Sequence, residues 1–254
     1  LTILDFVGLV VIGAVANAIN SVAGGGSLLS FPYLTLVSGL PSPVANATNS
    51  VSLWPGSLSG LFGYRKQIPA VWKYMKILVV PTIIGAASGS YIFVHTSAAV
   101  FDFIVPFLIL LAALLLMFQP RIKAFVLRGE RTFSLPGGVF LQFLVALYGG
   151  YFGAGMGIMM LAAFGLYMEG TIHELNAVKT FLGTFINLIA SLVFVFQGIV
   201  RYELALPLII GSVIGGFSAA RIVQKVDPEK LRIVIAYFGI VMAIYYFLRW
   251  LKLA

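Results

Sequence analysis

Asn20-Ser21-Val22-Ala23-Gly24-Gly25-Gly26-Ser27-Leu28-Leu29-Ser30 puts three consecutive glycines into an otherwise apolar stretch. A second glycine run, Gly153-Ala154-Gly155-Met156-Gly157, aligns residue for residue with Ala23-Gly24-Gly25-Gly26-Ser27, with no gap needed. Glycine costs a helix interior about 1 kcal/mol relative to alanine, so each run reads as a helix break. The surroundings make those breaks unusual. Of 254 residues, 61% are hydrophobic and 9% charged, where soluble domains carry about 45–50% and about 25%. Eight acids and sixteen bases could not cover a water-soluble surface of this size. At about 20 residues per span the chain has room for about eight to ten membrane elements and no separate soluble domain. Non-helical backbone at membrane depth must be buried or line a wet cavity, so the two breaks are candidate site elements.

Outward from the breaks, apolar elements run at 3–22, 27–38, 44–64, 74–95 and 98–118, then at 136–152, 157–168, 174–197, 203–222 and 231–251. The polar stretch between, with Arg121, Lys123, Arg128, Glu130 and Arg131, reads as a basic linker loop over 119–134. It separates an N-terminal transmembrane repeat, 1–118, from a C-terminal one, 135–254. Two further matches keep the same order. Ala45-Asn46-Ala47-Thr48-Asn49-Ser50 aligns with Leu175-Asn176-Ala177-Val178-Lys179-Thr180 in the register of the glycine runs. Pro81-x-x-x-Gly85-x-x-x-Gly89 aligns with Pro207-x-x-x-Gly211-x-x-x-Gly215 in a register one helical turn shorter.

Loop charges bear on how the halves are oriented. Arg65, Lys66, Lys73 and Lys76 follow the 44–64 span, and the next loop, around His95, has no Lys or Arg. In the second half the bias reverses: Arg201 stands with Glu203, and Arg221, Lys225, Lys230 and Arg232 follow later. The positive-inside rule then favours halves of inverted topology, each a broken or re-entrant first helix followed by three spans. A parallel arrangement is the competing reading, and Arg249 and Lys252 speak for it. The net charge of +8 reads as topology determinants and lipid contacts, not a nucleic-acid face. The first residues enter an apolar stretch with no basic leader or cleavage pattern, which reads as no signal peptide. With no cysteine, disulfides, thiolate metal sites and cysteine nucleophiles are excluded.

Helix breaks at these points make Ser27 and Gly157 the starts of new helical segments, whose free N–H groups and positive dipole ends suit an anion. The bland alternative is close helix packing, the role expected of the Gly85/Gly89 and Gly211/Gly215 pairs. Asn17 and Asn20 precede the first break. Asn46 and Asn49 share one helix face, as do Asn176 and Lys179. These amides read either as interhelical hydrogen bonds or as ligand contacts, and Asn187 as a bundle hydrogen bond. Lys179 is the one Lys or Arg well inside an expected span, where a charge costs about 2.5–3.5 kcal/mol on insertion scales. Snorkelling or pairing with Glu174 is one reading of it; supplying charge beside the second break is the other. All eight acids fall in loops or at span ends, so no embedded carboxylate cluster exists for a metal or organic cation. No nucleophile–base pairing appears, which speaks against an enzyme. His95 and His173 are boundary residues, with a His173–Glu174 proton gate as the functional reading.

The run from Asn20 through Pro32, with Ala45–Ser50, Gly149-Gly150-Tyr151-Phe152-Gly153-Ala154-Gly155 and Asn176-Ala177-Val178-Lys179, resembles the sulfite exporter TauE/SafE family over essentially the whole chain. The resemblance implies a multi-pass plasma-membrane permease for small anions, with sulfite, sulfonates and related organosulfur compounds as the usual substrates. Carried over residue by residue, it points to Gly24, Gly25, Gly26 and Ser27, to Asn46 and Asn49, to Gly155, Met156 and Gly157, and to Asn176 and Lys179. Met156 departs from the pattern by standing where the first half has Gly26.

The sequence therefore predicts an all-α polytopic membrane protein that exports a small sulfite-like anion by alternating access at a midplane site between two repeats. It calls for no cofactor, no metal and no nucleic acid; its partners are the anion and the lipid bilayer, with a homodimer left open. The alternatives are a passive anion channel and a non-transport membrane subunit of a partner complex.

Overall fold

The computed structural model describes residues 2–22, 24–128, 133–223 and 228–252, with the side chains of Val22 and of 219–228 left aside. Ala23 of the first glycine motif, Glu130 and Arg131 of the polar stretch, and Lys225 and Asp227 lie outside the described residues, as does any reading of the Arg221 side chain. Among the described residues ten α-helices follow one another: α1 (Ile3–Val22), α2 (Ser27–Pro32), α3 (Ser42–Leu61), α4 (Ile68–Val94), α5 (Ala98–Arg128), α6 (Leu135–Tyr151), α7 (Met156–Tyr167), α8 (Ile172–Phe196), α9 (Tyr202–Val223) and α10 (Pro228–Trp250). A π-helical turn, Tyr33–Val37, continues α2. No strand occurs among the described residues. Five of these helices are long and apolar enough to cross a membrane: Ile3–Ser21, Ile68–Val94, Ala98–Arg128, Ile172–Phe196 and Glu229–Trp250.

The packing is that of helices in lipid. On α1, Leu4, Val7, Val11 and Val15 are exposed while Leu9, Gly13, Ala16 and Asn17 are buried. Large apolar side chains face outward because lipid does not drive them inward, and small residues let backbones approach. The glycine pairs do this directly. A Cβ on Gly211 or Gly215 would run into the carbonyls of Val10 and Ala14, and one on Gly85 or Gly89 into those of Phe143 and Leu147. Thus α9 lies against α1, and α4 against α6.

Residue pairings give the relative directions. Arg201 N–H donates to Thr48 Oγ1 (3.1 Å), Ser52 Oγ to Ala205 O (3.4 Å) and Ser59 Oγ to Val213 O (3.1 Å), so α3 and α9 run parallel. Trp72 meets Phe181 and Phe93 meets Phe194, so α4 and α8 are parallel too. The closing helices α5 and α10 are antiparallel: Phe103 packs on Trp250, Phe107 on Phe247, and Ala113 against Gly239. Following these directions, Arg65, Lys66, Lys73, Lys76, Arg121, Lys123, Arg128, Lys230 and Arg232 fall on one face, and Arg201, Arg249 and Lys252 on the other.

One expectation needs correction. The stretch 119–134 is not a loop throughout, because α5 continues as helix to Arg128. Ile122 and Val126, one turn apart, keep that extension packed, and the Val126 side chain fills the space over Gly165. At 31 residues α5 is about 46 Å long, so its basic end stands clear of a hydrocarbon core of about 30 Å.

Candidate functional site

The two glycine runs form two helix breaks that meet inside the bundle. At the first, Gly24 (φ +75°) and Gly25 (φ +89°) take left-handed backbone that a side chain would strain. Gly24 N–H donates to Ile19 O (3.1 Å) and Gly26 N–H to Asn20 Oδ1 (3.0 Å). A Cβ on Gly26 would collide with the Ala16 carbonyl, so only glycine lets the chain turn back on α1 there. Ser27 opens α2 and its hydroxyl accepts from Asn49 Nδ2 (3.2 Å).

At the second break Gly153 (φ +81°) and Gly155 (φ +76°) have the same handedness, and α7 begins at Met156. Asn46 Nδ2, from α3 in the first half, donates to Tyr151 O (3.0 Å) at the end of α6. Tyr148 donates its hydroxyl to Ala154 O (2.5 Å). Asn46 and Asn49 therefore brace one break each.

Lys179 sits between the breaks. Its position matches Asn49 in the repeat, and it faces Gly157, which matches Ser27. A Cβ on Gly157 would come 3.3 Å from Lys179 Cδ and 3.9 Å from Gly24 Cα, so this glycine is what lets the lysine stem lie between the two runs. Lys179 is 4% exposed and its Nζ has no hydrogen-bond partner. The two plain readings of the residue fail. Snorkelling would leave the amine exposed. Glu174 is spent on a capping box: its Oε2 accepts from Thr171 N–H (2.6 Å) and Thr171 Oγ1 (3.0 Å), while its own N–H donates to Thr171 Oγ1 (3.3 Å).

A cavity of about 40 Å³ lies against Lys179. Of the residues expected at the site, Gly24, Met156, Gly157 and Lys179 line it. Gly25, Gly26, Ser27, Asn46, Asn49 and Gly155 shape or brace the breaks without lining it. Asn176 lies elsewhere: its Nδ2 donates to Ile172 O (2.9 Å) in its own helix, and it lines a different cavity. His173 is exposed. The reading of the sequence missed Ser57, Thr180 and Asn187, which also line the smaller cavity, Thr180 with a buried, unpartnered Oγ1. A signal for two of them was present, since Ser57 and Asn187 align with each other in the register of the glycine runs.

Paired helix breaks around a buried lysine, inside a bundle of lipid-facing helices, define a multi-pass membrane protein with a small cavity at the breaks. The sulfite exporter TauE/SafE family model matches residues 9–246, and the chain belongs to that family. It is similar to a probable membrane transporter protein of Haemophilus influenzae, 25% identical over 91% of this chain and 90% of the relative. The probable membrane transporter protein YfcA of Escherichia coli strain K12 is likewise 25% identical, over 91% of this chain and 86% of its own length. A probable membrane transporter protein of Xylella fastidiosa is 24% identical over 94% and 92%. No solved structure matches the chain.

Proposed function

We propose that this chain is a secondary transporter of the plasma membrane that exports a small anion, sulfite or a related sulfonate or organosulfur anion, from the Lys179 cavity. The observation that carries the reading is the buried, unpartnered Nζ of Lys179. A charge at such depth costs about 2.5–3.5 kcal/mol on insertion scales, and an oxyanion seated on it would offset that cost. The start of α7 at Met156 and Gly157 adds the positive end of a helix dipole on the same side. Thr180 Oγ1 and the Asn187 amide supply neutral donors. A volume of about 40 Å³ exceeds the roughly 10–15 Å³ that one water needs, a size for a small oxyanion and not for a bulky substrate. The choice of sulfite rests on the family's description, not on the pocket.

The antiparallel α5 and α10, each closing its own half, support reading the halves as inverted-topology repeats. Rocking one half against the other would expose the cavity to each side in turn. The excess of bases on one face supports reading that face as the cytoplasmic one.

Flux from proteoliposomes tests the proposal, with sulfite set against sulfate, thiosulfate, sulfonates and short carboxylates. Saturable flux of one sulfur oxyanion, lost in Lys179→Met, is expected. Flux that does not saturate would mean a channel, and no flux from folded protein would end the transport reading.

A further inference from the structure

A second cavity, about 210 Å³, lies between the basic-face ends of α5, α8 and α10 and the first turns of α7. Its polar lining is Gln119, Lys123, Asn176, Glu229 and Arg232, two bases beside one acid among the described residues. Asn176 Oδ1 and Arg232 Nε are buried without hydrogen-bond partners. The apolar floor includes Ile158 and Leu161.

The two cavities adjoin. Asn176 lines the large one and Lys179 the small one, one turn apart on one face of α8, about 4.5 Å along the axis. Ile158 is fully buried and lines the large cavity. Its Cγ1 lies 3.1 Å from where a Cβ on Gly24 would stand, and Gly24 lines the small one. Ile158 thus fills the gap between the α7 start and the first break. A β-branched side chain in a helix is held to one χ1 rotamer, so this barrier moves with α7 and not by a side-chain flip. An apolar constriction excludes water and ions when closed.

We propose that the larger cavity is an antechamber that concentrates small oxyanions at the basic face, and that Ile158 is the gate between it and the Lys179 cavity. The gate's role in transport rests on the Lys179 reading; its existence does not.

The chain contains no cysteine, so single cysteines report access directly. The reconstituted chain is treated from its basic face with two membrane-impermeant thiol reagents, an anionic sulfonatoethyl and a cationic trimethylammonioethyl methanethiosulfonate. Asn176→Cys reacts quickly with the anionic reagent, and Thr180→Cys at least about tenfold more slowly. Adding Ile158→Ala raises the Thr180→Cys rate by about tenfold or more and leaves Asn176→Cys unchanged, with Ile158→Val in between should the alanine variant fold poorly. Lys123→Gln with Arg232→Gln slows the anionic reagent at Asn176→Cys by about tenfold, and not the cationic one. Equal rates at the two cysteines in the parent chain, or no response to either Ile158 substitution, would overturn the gate. Insensitivity of the anionic rate to the charge removal would overturn the antechamber. Labelling requires no transport, so normal flux in Lys179→Met would sink the Lys179 reading while the gate stood or fell on its own data.

Discussion

The first and second helix breaks arise from matching sequence, yet they end in opposite electrostatic states. At the first, the groups that glycine frees find neutral partners: Asn20 takes the Gly26 N–H and Asn49 holds the Ser27 hydroxyl. At the second, glycine replaces that serine and lysine replaces that asparagine, which leaves an amine with no partner. Two substitutions at paired positions put a buried amine where the first break has a neutral amide–hydroxyl hydrogen bond. Repetition supplies the scaffold, and departure from it supplies the chemistry.

The largest expected effect comes from erasing the charge. Lys179→Met should lower oxyanion affinity by at least about thirtyfold, the low end for losing one partner of a buried charged contact. It should also raise the unfolding temperature, because an unpaired buried charge is removed. A matching loss of stability would instead make Lys179 a structural residue. Next in size, Gly26→Ala forces a Cβ into the Ala16 carbonyl, and overpacking of that kind costs about 1–3 kcal/mol, read as a lower unfolding midpoint. Asn49→Ala should cost about 1 kcal/mol by leaving the Ser27 hydroxyl unpartnered, while changing anion affinity far less than Lys179→Met does. Those two outcomes together separate a brace from a binding residue. Smallest is Met156→Ala, which trims the wall where the first break has glycine and should raise flux of bulkier sulfonates relative to sulfite. An unchanged preference would show that Met156 does not limit the cavity.

Much of this architecture could be read along the chain, because glycine runs and apolar lengths are local signals. The expected starts of the short helices at Ser27 and Gly157 lie within a residue of those observed. The basic stretch after 118 misled, since Arg121, Lys123 and Arg128 outweighed the Ile122–Val126 turn that keeps α5 helical. Partner choice was not legible at all. Nothing in Asn46 shows that its amide reaches Tyr151, far along the chain in the other half, nor in Asn176 that it lines a different cavity from Lys179. Such choices depend on which helices cross, and a periodic pattern fixes faces without naming neighbours.

The most direct test of the central claim is calorimetric titration of sulfite into the purified parent chain and into Lys179→Met. One saturable site in the parent and none in the variant, with the variant folded and at least as heat-stable, is the predicted result. Equal affinity in the two proteins would contradict it and return Lys179 to the scaffold.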